Sequence, residues 1–595
     1  MRSFVLSIWC VLSTVEAVVG APGPAFPALN LGRGSPGIEK LQTRLDQAVG
    51  DVLSHGKVPG GSWDSSTTSF ALQVTSATET IWSSYHSASK QGSDTPHVVT
   101  GDSFFRIASI SKTFTVYALL LEQLNLDEPV TKWLPELKVP QTEDDVAIDW
   151  NSISLRALAS HQAGIYRDSS GPCFLWREVL GLQPNWRDEL EQHGFPRSLV
   201  TIRLDLLRTA RHAARVFLPN TQATYSNAGF SLLGAVLESA GGKPYNAIIN
   251  SSILQPLQMQ KTTARKPDDS EGVIPAYHND WYKPFDADTA TAGLYSTPND
   301  LAIYLRSMLY PATLLPQARL NAWMKPATWT SSGSTTAYGL SWEIYRTTSL
   351  TPDQRPIDLV TKGGLLNGYP SLIVLIPEFQ LALVILIAGA PEVLDLLRRS
   401  IIAALVPVAD ELLREEASKR YTGCYTLPAS MDDTTASKSS ASSIELAVDN
   451  QGPGLRITSW ISLGTDFLTT YARLQGAPAS KRPDGWQVRL LPSDPVMSTS
   501  TTEIWRAVLL PSPLPEHDQK QAPVLWDDYY ATDVDDLSYA GRSLGEFRIT
   551  INEKGQAVKI YSVGLRTLLL SSQCNPAEHV HADTGKEKAS WKSEL

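Results

Sequence analysis

Ser109 and Lys112 have the residue types and the spacing best suited to chemistry, because a serine hydroxyl and a lysine amine lie three positions apart. Apolar residues recur at helical intervals through the stretch that they open, which predicts a helix with both side chains on one face, roughly opposite the apolar stripe. A lysine with a depressed pKa can accept the serine hydroxyl proton, and a helix N-terminus favours developing negative charge. The pair therefore predicts a serine nucleophile.

A single Ser-x-x-Lys motif is weak, and the same chain carries a second one from Ser87 to Lys90. That copy runs into Gln-Gly-Ser-Asp-Thr-Pro and has no helical pattern behind it. We therefore expect the chemistry to depend on Ser109 and not on Ser87, provided that other motifs of the chain agree.

Tyr225-Ser-Asn227 is the second candidate element. The apolar run after it ends at Gly241-Gly242, which is typical of a buried helix with a glycine C-cap. A similar triplet, Tyr277-His-Asn279, is followed by a loop-like sequence, so we expect the first triplet to be the functional one. Taken alone, Tyr225 is also compatible with a phenol of the hydrophobic core.

Lys362-Gly-Gly364 is the third candidate element. The apolar segment after it, 372–387, is interrupted at Pro377 and Glu378, which predicts two buried strands joined by a tight turn. Taken alone, Lys362 is also compatible with a solvated charge. The order of the three motifs, each in a suitable setting, argues against coincidence.

Together the three motifs resemble the signature of the serine β-lactamase and penicillin-binding-protein superfamily. The Tyr-x-Asn form is similar to the class C-like branch, which includes β-lactamases, DD-peptidases, esterases and acyltransferases. Flanking segments extend the resemblance over roughly residues 40 to 410; they are Asn125–Pro135, Ile153–Gly164, Ala292–Ala302 and Tyr338–Glu343. Farther on, Tyr421–Tyr425 resembles the start of a lipocalin-like C-terminal domain found in some relatives. The chain is identified as a fungal-type secreted member with such a domain.

The resemblance implies a fold and a set of roles. The fold is of the mixed α/β (α+β) β-lactamase/transpeptidase type: an antiparallel sheet with helices on both faces, plus a helical lobe. In the implied chemistry Ser109 is the nucleophile, Lys112 the proton acceptor and Tyr225 a second proton carrier. Support for the substrate and for Lys112 would come from Asn227, Lys362 and Gly364. The backbone N–H groups of Ser109 and Leu365 would form the oxyanion hole.

Two positions need comment because they affect these roles. Gly363 stands where many relatives carry threonine, which puts in doubt the recognition of a β-lactam or peptide carboxylate. His161 occupies a structural position of the family, so we expect it to form hydrogen bonds at a helix end and not to act as a base.

Composition restricts the partners. The chain has 595 residues, 42% of them hydrophobic, and 51 basic against 61 acidic residues give a net charge of −10. Because the net charge is negative and no long basic run is present, nucleic acid and anionic membrane are poor partners. The resemblance implies a small-molecule or peptide acyl substrate. Neither a metal nor another cofactor is required by this chemistry, and no His/Cys cluster has ligand spacing.

The N-terminus predicts export. Residues 1–21 combine a basic start, an apolar run and small residues before Pro22, which is typical of a cleaved signal peptide, so we expect a secreted protein without a membrane span. The Asn250-Ser-Ser252 sequon could then carry a glycan. Lys592–Leu595 is similar to an ER-retrieval tetrapeptide except at its second position, which leaves the ER lumen as an alternative.

The chain is expected to divide into two domains. After a Pro/Gly-rich extended leader at 22–38, residues 39–415 would form the catalytic domain. Residues 418–575 contain short segments that alternate in twos between turn sequences, which predicts a second, all-β domain, either a sheet or a barrel. The polar tail at 576–595 is predicted to be disordered.

Three cysteines remain after removal of the signal peptide, namely Cys173, Cys424 and Cys574. Cys424 lies in the presumed first strand of the β-domain and Cys574 just past the presumed last strand. In a closed antiparallel barrel these strands are neighbours, so the two cysteines could form a disulfide. Three free thiols are the alternative.

Three functions are compatible with these residues. The first is a serine hydrolase that forms an acyl-enzyme on an ester, amide or lactam bond. The second is an acyltransferase of the same chemistry, possibly in secondary metabolism. The third is a non-catalytic member that binds a ligand, against which the intact Ser109, Lys112, Tyr225 and Lys362 argue.

Overall fold

The computed structural model describes residues 24–29, 31–55, 57–58, 61–92, 98–138, 147–168, 206–211, 213–427, 441–475, 486–493, 501–512, 534–535 and 537–572. The predicted signal peptide, the polar tail, Cys173 and Cys574 lie outside these ranges. The described residues divide into two compact units, one that ends at Leu413 and one that begins at Arg414. None of the helices within the ranges is both long and apolar enough to cross a lipid bilayer.

The first unit is built on an eight-stranded antiparallel sheet. Its central strands consist almost entirely of aliphatic residues, and every residue of Tyr369–Ile376 and Leu381–Ala388 is buried, so both faces of the sheet are covered. These two strands and the turn Pro377–Phe379 confirm the prediction for the apolar segment. In spatial order the strands are Thr80–His86, Ser69–Ser76, Leu381–Ala388, Tyr369–Ile376, Ile357–Leu366, Glu343–Thr347, Thr336–Tyr338 and Thr328–Trp329.

Helices cover this sheet and also form a separate cluster, which confirms the mixed fold implied by the resemblance. Pro298–Arg306 packs on the strands Ser69–Ser76 and Leu381–Ala388, and Ile38–His55 packs on Thr80–His86. The helices that pack on one another are Ser111–Leu121, Leu155–Ala159, Ala228–Gly241, Tyr245–Ile249 and Thr289–Ala292. Among the described residues, the other α-helices of this unit are Gln317–Trp323 and the first part of Val393–Tyr421, which continues into the second unit.

The helix Ser111–Leu121 begins two residues after Ser109, which was expected to open it, and it is buried almost throughout. Every residue from Ser111 to Leu120 is buried, so the helix has no solvated face opposite its apolar stripe. Its polar residues are satisfied internally: the Thr113 hydroxyl donates to the carbonyl of Ile110 at 2.8 Å, and the Thr115 hydroxyl donates to the carbonyl of Ala290 at 2.6 Å. Threonine can be buried in this way because its hydroxyl bonds to a nearby carbonyl.

The second unit is an eight-stranded closed barrel, which confirms the prediction of an all-β domain. Apolar and polar residues alternate along its strands, as in Glu546–Ile551, where every second residue is buried. The strands in order around the barrel are Ser443–Ala447, Gly423–Thr426, Thr567–Ser572, Ala557–Ser562, Glu546–Ile551, Thr502–Pro511, Trp486–Pro492 and Leu455–Ser462, and the last pairs with the first.

Sequence analysis missed the helix Phe467–Leu474 of this unit. Asp466 caps it by accepting a hydrogen bond from the Thr469 N–H at 3.1 Å, and Tyr471 packs its ring against Trp460 with 5.5 Å between centroids. Cys424 pairs opposite Ser572 in the adjacent strand and is disulfide-bonded. Because Cys424 is the sole cysteine among the described residues, its partner lies outside them.

Candidate active site

Ser109 lies in a tight turn that joins a short strand to the buried helix. The turn is the 3-10 segment Ala108–Ile110, between the strand Phe105–Arg106 and the helix Ser111–Leu121. Ala108 has a φ of 47°, in the left-handed region that non-glycine residues rarely adopt. Local strain of this kind persists where the surroundings hold it, and it is common at functional sites.

Lys112 is the immediate partner of Ser109. Its Nζ donates to Ser109 Oγ at 2.9 Å and to the carbonyl oxygen of Thr291 at 3.1 Å, and the side chain is fully buried. Burial lowers the pKa of Lys112 to about 8, and the positive charge of Lys362 acts in the same direction while Tyr225 opposes it. A substantial fraction of Lys112 is therefore neutral at mildly alkaline pH and able to accept a proton.

Tyr225 lies among three cations. The distances from its ring centroid are 5.2 Å to Lys112 Nζ, 5.3 Å to Lys362 Nζ and 5.1 Å to the guanidinium carbon of Arg167. Burial alone would raise the pKa of Tyr225, but the positive charges of Lys362 and Lys112 outweigh it, so the pKa lies below its ordinary value. The phenol is thus suited to give up and regain a proton near the nucleophile.

His161 packs against the ring of Tyr225. Its ring stacks on the ring of Tyr225 with 4.3 Å between centroids, and its Nδ1 accepts a hydrogen bond from the Ser226 N–H at 3.1 Å. Burial, together with the charges of Lys112 and Lys362, lowers the pKa of His161 well below its ordinary value. A histidine that stays neutral and packs on the phenol positions Tyr225 and is not placed to take the serine proton.

Asn227 has a different partner from the one expected. Its side-chain amide donates to Asp168 Oδ1 at 2.6 Å, and its backbone carbonyl accepts from the Thr291 hydroxyl at 3.1 Å. Within the described part of the chain no hydrogen bond joins Asn227 to Lys112, so the predicted support of Lys112 by this side chain is not seen. The Asn227 amide is bonded to Asp168 instead, whose carboxylate lies at the rim of the site.

Lys362 and Gly364 belong to the strand Ile357–Leu366, which borders the nucleophile turn. Lys362 Nζ donates to Glu343 Oε1 at 2.7 Å, and this ion pair raises the pKa of Lys362 despite its burial. A Cβ atom on Gly364 would lie 2.6 Å from the carbonyl oxygen of Ile107 and 2.4 Å from Ser371 Oγ. Only glycine therefore allows the strand to approach the turn this closely.

Beyond Thr361, one edge of that strand has no partner strand among the described residues. Its pairing with Glu343–Thr347 stops at Thr361, and beyond that point the Gly363 N–H donates to Glu343 Oε2 at 2.9 Å. Because alternate N–H groups of a strand point to the same edge, the Leu365 N–H points there too. Ser109 also donates no backbone hydrogen bond among the described residues. The two N–H groups named for an oxyanion hole are thus available.

The two decoy motifs lie elsewhere. Ser87 is exposed, and its hydroxyl accepts a hydrogen bond from the Val99 N–H at 2.9 Å. The Asn279 amide donates to the carbonyls of Pro275 and Tyr277 within its own loop. Asn250 of the sequon is exposed.

Sequence analysis did not single out three groups of the site. They are the Glu343 carboxylate, the Asp168 carboxylate and the Thr291 carbonyl, which bind Lys362, Asn227 and Lys112. Glu343 does close one of the flanking segments that carry the family resemblance, and this was the available signal.

Comparison with known proteins gives two family matches. Residues 45–406 match the family described as Beta-lactamase. Residues 413–573 match the one described as "Beta-lactamase-like-like, C-terminal domain".

Several curated relatives are similar over most of their length. "Probable hydrolase M10" of Phoma sp. is 30% identical over 534 residues, which cover 84% of this chain and 83% of the relative. "Beta-lactamase-like protein" of Arthroderma benhamiae is 29% identical over 470 residues, 75% of this chain and 76% of the relative. "D-alanyl-D-alanine-carboxypeptidase/endopeptidase AmpH" of Escherichia coli is 26% identical over 353 residues, 55% of this chain and 81% of the relative.

Proposed function

This chain belongs to the β-lactamase family, and on that premise we propose that it is a serine hydrolase that forms an acyl-enzyme at Ser109. The bond cleaved would be an ester, an amide or a lactam. A relative named as a carboxypeptidase and several named as hydrolases or β-lactamase-like proteins are consistent with this range of bonds.

One observation carries the proposal. Lys112 Nζ lies 2.9 Å from Ser109 Oγ, and the pKa of this lysine is lowered to about 8. The geometry is that of a nucleophile and its base, and the pKa makes the base available near neutral pH. A lysine with a purely structural role would be expected to keep an acidic partner, and Lys112 has none among the described residues.

Acylation follows from this geometry. Neutral Lys112 takes the hydroxyl proton while Ser109 Oγ bonds to the carbonyl carbon, and the carbonyl oxygen becomes an oxyanion. The N–H groups of Ser109 and Leu365 donate to that oxyanion; loss of one such donor typically costs about 10²–10³ in kcat. Tyr225 then gives its proton to the leaving group as the bond to the carbonyl carbon breaks.

Deacylation reverses these roles with water as the nucleophile. A water molecule attacks the acyl-Ser109 ester and passes its proton to the Tyr225 phenolate, and protonated Lys112 returns its proton to Ser109 Oγ as the acid is released. If another hydroxyl or amine replaces water, the same steps transfer the acyl group to that acceptor.

Turnover of a small substrate panel tests the proposal. The panel would contain p-nitrophenyl acetate, butyrate and octanoate, the lactam nitrocefin and a D-alanyl-D-alanine peptide, each measured with and without an added alcohol. We expect cleavage of at least one member by the wild type and none by Ser109→Ala. Products that contain the added alcohol would identify transfer, and cleavage that persists in Ser109→Ala would overturn the proposal.

A further inference from the structure

Two of the cations that surround Tyr225 are each paired with a carboxylate. Lys362 is paired with Glu343, with 2.7 Å between Nζ and Oε1, and Arg167 is paired with Asp168, with 3.5 Å between Nε and Oδ2. Both cations lie against the ring of Tyr225. Among the described residues the third cation at this ring is Lys112, which is buried and bonded to the nucleophile. Three basic residues therefore surround Tyr225, but two carboxylates offset two of their positive charges, so the net charge of the site is small.

Glu343 also accepts a hydrogen bond from the backbone N–H group next to Lys362. Its Oε1 accepts from the Lys362 ammonium and its Oε2 accepts from the Gly363 N–H at 2.9 Å, so the carboxylate bridges the two donors. The ammonium also donates to the Gly363 carbonyl. This is the arrangement that a bound carboxylic acid would adopt, since carboxylates bind cations and N–H groups through both oxygens.

The absence of a side chain at Gly363 makes room for this carboxylate. A Cβ atom there would lie 3.2 Å from Glu343 Oε2, which is tighter than ordinary contact. No hydroxyl is present at position 363 to bind an incoming anion. The side chain of Glu343 is 23% exposed while that of Lys362 is 1% exposed, so a substrate at this edge meets the acid and not the amine.

We propose that Glu343 occupies the anion-binding position of the site and restricts the substrate to acyl donors that carry no carboxylate near the scissile carbonyl. This inference rests on the proposed serine hydrolase function. A substrate carboxylate would have to displace Glu343 from Lys362 and Gly363 or lie beside it. Two carboxylates side by side repel each other because both are negatively charged. Neutral esters and amides avoid this cost.

A matched pair of substrates tests the proposal directly. The two are 3-(butyryloxy)benzamide and 3-(butyryloxy)benzoate, which share the acyl group and nearly the same leaving phenol but differ in charge. For the wild type we expect kcat/KM to be at least about 10²-fold higher for the benzamide. Equal or faster cleavage of the benzoate would overturn the proposal without any variant.

Two variants identify the residue responsible. Glu343→Gln should raise kcat/KM for the benzoate and reduce the preference for the benzamide at least about tenfold. The control is Asp358→Asn, which removes a carboxylate from the neighbouring Arg346–Asp358 pair of the same two strands and should leave the preference unchanged. A preference retained in Glu343→Gln would overturn the assignment. If the wild type cleaved neither these esters nor any member of the substrate panel through Ser109, the proposed function would fail first and this inference with it.

Discussion

At the level of single residues, the site combines two buried amines with one phenol, that of Tyr225. Lys112 and Lys362 flank the ring of Tyr225, and their environments move their pKa values in opposite directions. Burial lowers the pKa of Lys112 to about 8, whereas Glu343 raises that of Lys362. One amine is thereby free to exchange a proton while the other stays charged and helps to lower the pKa of Tyr225. This division of labour leads to two predictions.

The first prediction concerns pH. If neutral Lys112 is the proton acceptor, kcat/KM for a neutral ester should rise with pH and level off above about 8, because the protonated amine cannot act as a base. The negative charge of Glu343 raises the pKa of Lys112, so Glu343→Gln should move the midpoint to lower pH. Rates between pH 6 and 9.5 measure both effects. A rate that falls through this range would exclude Lys112 as the base.

The second prediction concerns Tyr225. Tyr225→Phe keeps the ring that stacks on His161 but removes the hydroxyl, so kcat should fall about 10²–10⁴-fold with little change in folding. Tyr277→Phe in the decoy triplet is the matched control and should leave kcat near the wild-type value. If kcat were unchanged in Tyr225→Phe, the phenol would have no part in proton transfer.

At the level of elements, the closest approach in the site is that of the strand Ile357–Leu366 to the turn Ala108–Ile110. Gly364 permits it, and in the proposed reaction the Leu365 N–H of the same strand would donate to the oxyanion. The motif that contains Gly364 could be found in the sequence, because it precedes an unmistakable pair of apolar strands. The partners of Glu343 and Asn227 could not be found, because they depend on side-chain directions at the ends of elements that the sequence pattern does not define.

The third prediction tests that approach. Gly364→Ala should lower the free energy of unfolding by about 1–3 kcal/mol, as overpacked sites typically do, and should slow acylation as the strand moves away from the turn. The control is Gly50→Ala in the helix Ile38–His55, where nothing lies within 4 Å of the added Cβ. That change should stabilise by about 0.5–1 kcal/mol, since alanine favours helices over glycine. Thermal unfolding and ester turnover measure both. Normal turnover in Gly364→Ala would show that the contact is not needed.

The fourth prediction concerns the barrel. Cys424 is disulfide-bonded and lies opposite Ser572, two residues before Cys574 in the sequence, so we predict that Cys574 is its partner. Such a bridge would close a loop of about 150 residues, which in the chain-entropy model stabilises by about 4–5 kcal/mol. Non-reducing peptide mapping should recover the two cysteines in one linked peptide. Recovery of Cys424 linked to Cys173 would contradict the pairing.

At the level of the whole molecule, two units with different core designs share one chain. The sheet of the first unit is covered on both faces and its central strands are uniformly apolar, whereas the barrel of the second has one inner face and its strands alternate. Both patterns follow from burial, so the buried strands of the first unit and the all-β class of the second could be predicted from the sequence pattern, whereas the mixed fold of the first unit was implied by the family resemblance. The strand Ala557–Ser562 and the helix Phe467–Leu474 were not predicted; they are short elements of six and eight residues.

The proposed reaction requires a covalent intermediate at Ser109. The most direct test is the mass of the intact protein after exposure to a fluorophosphonate or an activated ester. The predicted result is one added acyl or phosphonyl group per chain, located by peptide mapping on Ser109, present in Ser87→Ala and absent in Ser109→Ala. An adduct of one equivalent that persists in Ser109→Ala, or that maps to another residue, would contradict the central claim.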